Sequence, residues 1–211
     1  CHCDICLRAK STRKPVKYFE PKQHYAAGEF LHADINVLPT RSWKRNKYLL
    51  LFTDSKTHYT WPFLLKTRKG LAKYVQQMRA KVKTQHGATL KKIRSDNEFL
   101  TKEISQFCNE KGLELENSPA YEKNYVAVAE RMNRTVTEGT RANLFESKLP
   151  DKAWDHAAIS TVYTRNRVLS RATDEEKTPY ELLYNRPPDM DHIRVFDAQR
   201  QLTFTNPRTR F

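Results

Sequence analysis

The stretch Tyr48–Asp54, YLLLFTD, restricts the folds open to this chain more than any other. It is a short, unbroken apolar run, which suits a buried central strand. Ahead of it, GEFLHADINVLP from Gly28 alternates loosely, with Leu31, Ala33 and Ile35 apolar, and reads as another strand. A basic turn from Arg41 to Lys47 joins the two. HYTWPFLLK then gives a third strand, placed at an edge or a bulge because Pro62 cannot donate to a ladder. Connections this short favour an antiparallel meander.

Past Leu65 the period changes. Leu71, Tyr74, Val75, Met78 and Val82 recur at helical spacing with Lys and Arg between them, an amphipathic helix that ends near His86-Gly87. ATLKKIRSD reads as a fourth strand, Glu103 to Lys111 as a helix before Gly112, and LELENS as a fifth strand. Ala127 to Phe145 is a long helical stretch, and Pro150-Asp151 opens another that carries Trp154, Ala157, Ala158 and Thr161. TPYELLYNRPP predicts a short helix capped by Thr178 with Pro179 at its first position, and IRVFDA one more short strand. From Gln199 to Phe211 the pattern fades. Strands first and then alternation with helices predict an α/β fold, a mixed sheet of about five strands flanked by helices.

Composition adds a partner class. With 211 residues, 38% of them hydrophobic, and ten Phe, ten Tyr and three Trp, the chain can bury one substantial core. A formal charge of +14 favours a polyanion, most simply nucleic acid, over the plainer reading of a solvated basic surface. There is no apolar run long enough for a membrane helix. The chain starts at Cys1 without a basic-then-apolar leader, so it reads as an internal piece of something longer. Cys1, Cys3 and Cys6 crowd the start while Cys108 stands alone, which suits a reduced, intracellular protein better than a disulfide framework. Cys3-x-x-Cys6 has the spacing of two thiolates on one zinc, with the other ligands expected upstream; the competing reading is a chance cluster. A basic, Pro-containing linker follows from Leu7 to Lys22.

Three acids are candidates for chemistry. Asp34 lies among strand residues, where an acid is costly to bury without a partner or a metal. Asp96 follows the fourth strand, and Glu130 lies early on the long helix. If the first and fourth strands are neighbours, Asp34 and Asp96 share one site and the long helix can bring Glu130 over it. Hard carboxylate oxygens from separate elements suit Mg2+ or Mn2+. Two such ions roughly 4 Å apart activate a water or a DNA 3′-hydroxyl and stabilise the leaving oxygen of a phosphodiester. Spacing alone does not single out this trio, because Asp54, Glu98, Glu103 and Glu122 are also available.

LHADI, LLLFTDSKTHYTWPFLLKTR, IRSDNEF, VAERMNRTVTEGTRANL, LPDKAWDHAAISTVYTRNR and TPYELLYNRPP, in that order, together resemble the integrase region of copia-type LTR retrotransposon Pol polyproteins. The resemblance runs from about Cys3 to Ala198, and AERMNR and TPYELLYNRPP are its most specific parts. It implies a ribonuclease-H-like fold with a catalytic Asp, Asp, Glu metal site at Asp34, Asp96 and Glu130, and two Mg2+ or Mn2+ ions. It implies that Cys3 and Cys6 are the last two ligands of a His-His-Cys-Cys zinc module, incomplete here. The corresponding domains are residues 1–15, the end of the zinc module with its basic linker; 16–186, the catalytic core; and 187–211, a degenerate tail. The implied reaction is trimming of retroelement DNA 3′ ends and their joining to target DNA. The implied partners are double-stranded DNA and further copies of the chain, in the nucleus, after a cytoplasmic particle stage in an active element. Asn133, Arg134, Thr137 and Arg141 share roughly the helical face of Glu130 and are candidates for holding phosphates; an exposed polar face without a ligand is the alternative.

The chain departs from the family at two places near these acids. Asp96-Asn97 runs straight into Glu98-Phe99, as if two residues were deleted. The stretch Glu122 to Ala127, expected as a loop, lacks the glycine and proline that would let it position Glu130. These losses raise a second reading, an inactive remnant or repurposed core that binds nucleic acid by charge. A third is a hydrolytic nuclease of the same fold.

Overall fold

The computed structural model describes residues 25–97, 99–117, 123–170, 173 and 176–196, with backbone alone at 123–127. Five strands, β1 (Phe30–Val37), β2 (Tyr48–Asp54), β3 (Thr60–Leu65), β4 (Lys92–Ser95) and β5 (Glu114–Asn117), form one sheet in the order β3-β2-β1-β4-β5. The pairs β1–β2 and β2–β3 are antiparallel, and β1–β4 and β4–β5 are parallel. The expected meander is therefore present, and Pro62 does lie on the edge strand.

The apolar run of β2 is explained by its two neighbours above and below. Leu50 and Phe52 face one way, with Leu31, Ala33, Ile35 and Ile93, onto α1 (Ala72–His86) and α2 (Lys102–Glu110). Val75, Met78 and Val82 of α1 and Ile104 and Cys108 of α2 complete that layer. Leu49 and Leu51 face the other way, onto Met132 and Val136 of α3 (Lys123–Ser147) and Trp154, Ala158 and Val162 of α4 (Trp154–Arg165). Each such side chain, once buried, contributes about 1.5–3 kcal/mol. The result is a mixed sheet between two helical layers, and no described helix is long and apolar enough to cross a membrane.

Local signals set the ends. Gly87, at φ 63°, closes α1 in the left-handed conformation that glycine adopts at least cost. Thr101 caps α2 by accepting from the Ile104 amide. The short helix α5 (Pro179–Tyr184) carries the full capping box, Thr178 with Glu181. Leu183 of α5 packs into the core on the α1 side.

Three expectations need correction. The long helix begins at Lys123, so residues 123–127 are helical rather than loop; Glu122 lies outside the described residues. A 3-10 turn, Asp151–Ala153, precedes α4. Ile193–Phe196 is not a strand, although Phe196 is buried; Asp197 and Ala198 lie outside the described residues. Cys3, Cys6 and the basic linker to Lys22 also lie outside them.

The helices α3 and α4 cross at Gly139. A Cβ built there would sit 2.5 Å from Thr161 Cγ2, so a side chain at this point would push the helices apart. Thr161 also accepts from Asn143 Nδ2 and donates to the Ala157 carbonyl, which holds it in place. Gly139→Ala is expected to cost about 1–3 kcal/mol through overpacking. Thr161→Ser, which removes the obstructing methyl and keeps the hydroxyl, is expected to restore most of that loss in thermal melts of the double variant.

Candidate active site

On β1 the side chains alternate. Leu31, Ala33 and Ile35 enter the core on the α1 side, so His32, Asp34 and Asn36 lie on the opposite face, under α3. The parallel register sets Ala33 beside Ser95, the last residue of β4, so Asp96 leaves the sheet next to Asp34. The turn that carries Asp96 is tight: the Phe99 amide donates to the Asp96 carbonyl at 3.3 Å and to its Oδ1 at 3.1 Å. Phe99 itself is fully buried, edge-on to Phe52. The turn is thus closed by a buried aromatic anchor. Asn97 accepts from Asn117 Nδ2 at 2.6 Å, which ties the ends of β4 and β5.

Helix α3 lies over this face through Met132 and Val136. Its polar residues on the same side reach β1: Asn133 Nδ2 donates to Asp34 Oδ2, and Thr137 Oγ1 accepts from Asn36 Nδ2 at 2.9 Å. Asn133 Oδ1 is buried and has no hydrogen-bond partner among the described residues. Glu130, Arg134 and Arg141 are exposed. Of the four residues expected to hold phosphates, then, Asn133 and Thr137 are engaged with β1, while Arg134 and Arg141 face solvent.

The electrostatics single out Asp34. Burial, then the neighbouring Asp96 carboxylate, push its pKa up to about 6, with a smaller push from Glu130; the Ile35 amide and Asn133 oppose them. The structure therefore brings Asp34 and Asp96 together and sets Glu130 within electrostatic reach. Among the described residues no three His, Cys, Asp or Glu side chains form a ready-made metal cluster. Still, the donor chemistry fits a hard divalent cation: two adjacent carboxylates raise each other's proton affinity, and a cation would relieve that repulsion.

Asp54, another candidate acid from the sequence, has a structural task. It accepts from the Gly28 amide and from the Thr57 amide and hydroxyl, each at 2.8 Å, at the far end of β2. Asn36 was not singled out from the sequence, yet it holds α3 to β1. The signal was present as polar residues at every second position, 32, 34 and 36, between apolar ones.

The raised pKa has a stability consequence. Below its ordinary 3.8, Asp34 is protonated in folded and unfolded chains and costs nothing. As pH rises from there to about 6 the folded state becomes penalised, and above that the penalty is complete, at roughly 3 kcal/mol. Asp34→Asn is therefore expected to stabilise the protein in chelator at pH 8 by up to that amount. The gain should fade toward pH 4 in thermal melts.

No protein-family model matches the chain. Its sequence is 29% identical over 200 residues to the retrovirus-related Pol polyprotein from transposon TNT 1-94 of Nicotiana tabacum, covering 93% of this chain. It is 24% identical over 196 residues to that from transposon RE1 of Arabidopsis thaliana, covering 92% of this chain. The chain spans 15% and 13%, respectively, of the length of those polyproteins. In structure it is similar to the HTLV-2 integrase catalytic core domain, solved in complex with magnesium, with TM-score 0.55, 16% identity and coverage of 75% of this chain and 97% of that one. It is also similar to a chain of the simian T-cell lymphotropic virus intasome bound to the PP2A regulatory subunit B56 gamma, with TM-score 0.60, 16% identity and coverage of 83% and 59%. By sequence this chain is a homologue of copia-type Pol polyproteins of plant transposons, and its fold is the ribonuclease-H-like fold of an integrase catalytic core.

Proposed function

We propose that this chain is the catalytic region of an integrase-type DNA strand-transfer enzyme. The observation that carries this reading is the pairing of Asp34 on β1 with Asp96 at the end of β4, beneath the helix that bears Glu130, in a fold of this kind. Held by oxygens of Asp34, Asp96 and Glu130, a pair of Mg2+ or Mn2+ ions would supply the activated water or 3′-hydroxyl and the charge neutralisation that in-line displacement at phosphorus needs. Asn133 orients the Asp34 carboxylate through Oδ2. The Asp96-to-Phe99 turn, anchored by the buried Phe99, fixes where Asp96 leaves the sheet. Arg134 and Arg141 follow Glu130 along the exposed side of α3, where they can hold the phosphates of a DNA end. DNA ends and target DNA are the proposed substrates, and a dimer or larger assembly the working form.

A second reading is favoured by Glu130 itself. Its carboxylate is exposed, and it is the least of the influences on Asp34, as in a core that binds DNA without cutting it.

The two readings separate in an assay of DNA ends with Mg2+ or Mn2+, scored for trimmed and joined strands. Strand transfer that chelator abolishes, and that Glu130→Gln reduces by about 10²-fold or more, supports the enzyme. DNA binding that falls steeply with salt, ignores chelator and yields no product supports the second reading. Trimmed but never joined strands would mark a nuclease of the same fold.

A further inference from the structure

The basic turn between β1 and β2 is built as a rigid platform. Ser42 and Asn46, both buried, staple it: the Ser42 amide donates to the Asn46 carbonyl at 2.9 Å and the Asn46 amide to Ser42 Oγ at 3.1 Å. Asn46 Nδ2 reaches Asp155 of α4 at 3.1 Å, Trp154 Nε1 donates to the Thr40 carbonyl at 2.9 Å, and the Trp43 amide donates to the Lys152 carbonyl at 3.0 Å. Arg45 is held at φ 64°, a conformation that L-residues with long side chains seldom adopt. These bonds turn Arg41, Lys44 and Arg45 outward, together with Trp43, which is 43% exposed.

A cationic loop fixed to the domain and carrying an exposed indole has the two parts of a single-strand binding surface, charge for the backbone and a ring for a base. Its position agrees. β1 ends at Val37, three residues and about 10 Å along the strand from Asp34, and residues 38–40 lead from there into the turn. Between that lead-in segment and α3 lies a cavity of about 370 Å³ whose lining includes Pro39, Thr40, Thr137 and Arg141. Arg141, on the exposed side of α3 that carries Glu130, therefore lies across that cavity from the segment that enters the turn. Asp151 also lines that cavity, so its acid faces the same space.

We propose that the turn from Arg41 to Lys47 is a grip for single-stranded or frayed DNA, with Trp43 stacking on an unpaired base and Arg41, Lys44 and Arg45 holding the adjoining phosphates. The grip goes beyond the catalytic reading and needs only its nucleic-acid half.

Trp61 and Trp154 are buried at 2% and 3% exposure, so quenching of tryptophan fluorescence by added DNA reports on Trp43. The titrants are a poly(dT) strand of about 15 nucleotides and a duplex of the same length. The single strand is expected to quench strongly. Trp43→Ala should weaken single-strand binding about 10-fold with little change for the duplex, and Trp43→Phe should recover most of it. Lys44→Ala with Arg45→Gly keeps the left-handed backbone available and should reduce the single-strand salt slope by about 1.4. If the protein binds DNA but the strand leaves the fluorescence and the Trp43→Ala affinity unchanged, the grip is wrong and the strand-transfer reading survives. If no joined product forms with Mg2+ or Mn2+ while Trp43→Ala still weakens the single strand, that reading fails and the grip stands. A protein that binds neither DNA overturns both.

Discussion

Asp34 puts a carboxylate on the central strand of a sheet covered on both faces, and much of the surrounding structure answers to that charge. Burial and Asp96 together push it toward protonation, and one hydrogen bond from Asn133 is a modest counterweight. Cations are present on the same sheet face but engaged elsewhere. Arg94 places its guanidinium on Glu116 through Nε at 3.0 Å and Nη2 at 3.1 Å, and Lys92 pairs with Glu114 and Glu116. Phe30 lies beneath both cations. His32, two residues before Asp34, has its pKa pushed down to about 3 by burial and by Arg94 and His58, so it is neutral at ordinary pH. The Asp96 carboxylate beside Asp34 raises its proton affinity, a repulsion that a divalent cation would relieve.

The same strand organises the rest of the site. Because β1 pairs antiparallel with β2 and parallel with β4, it brings the end of β4 beside its own middle and hands the chain to the Arg41–Lys47 turn at its far end. Helix α3 then spans both places, with Asn133 over Asp34, Thr137 on Asn36 and Arg141 at the cavity beside Pro39. Beside it α4 packs against the same helix, with Gly139 and Thr161 in close approach. Packing and chemistry thus use the same helix, through Gly139 at the crossing with α4 and Asn133 at Asp34.

The two stretches next to Asp96 and Glu130 have different structural meanings. The stretch after Asp96 closes as a turn with Phe99 buried, and Asp96 lies just past the end of β4. The stretch before Glu130 becomes the first turns of α3 from Lys123 onward. Without glycine or proline there, the backbone has no local reason to leave helical geometry. Glu130 is therefore presented on an ordinary exposed helix face.

The sequence by itself determined the strands, the helices, the edge position of β3 and the caps, because period-two and 3.6-residue patterns and Pro, Gly and Thr signals act locally. The stretches Tyr48–Asp54 and Thr178–Tyr184 needed nothing else. AERMNR and TPYELLYNRPP also carried the kinship. Local pattern misjudged residues 123–127 and 193–196, where a missing breaker and a short apolar run gave ambiguous cues. Only the tertiary structure decided which acids meet. The β1–β4 register pairs Asp34 with Asp96, while Asp54, a third aspartate on the sheet, is used to hold Gly28 and Thr57. It also decided that Asn133 and Thr137 turn inward and that a basic turn becomes a fixed platform. Both outcomes depend on hydrogen bonds between residues about a hundred positions apart, such as Asn133 to Asp34 and Asn46 to Asp155, and no local pattern encodes a partner that distant.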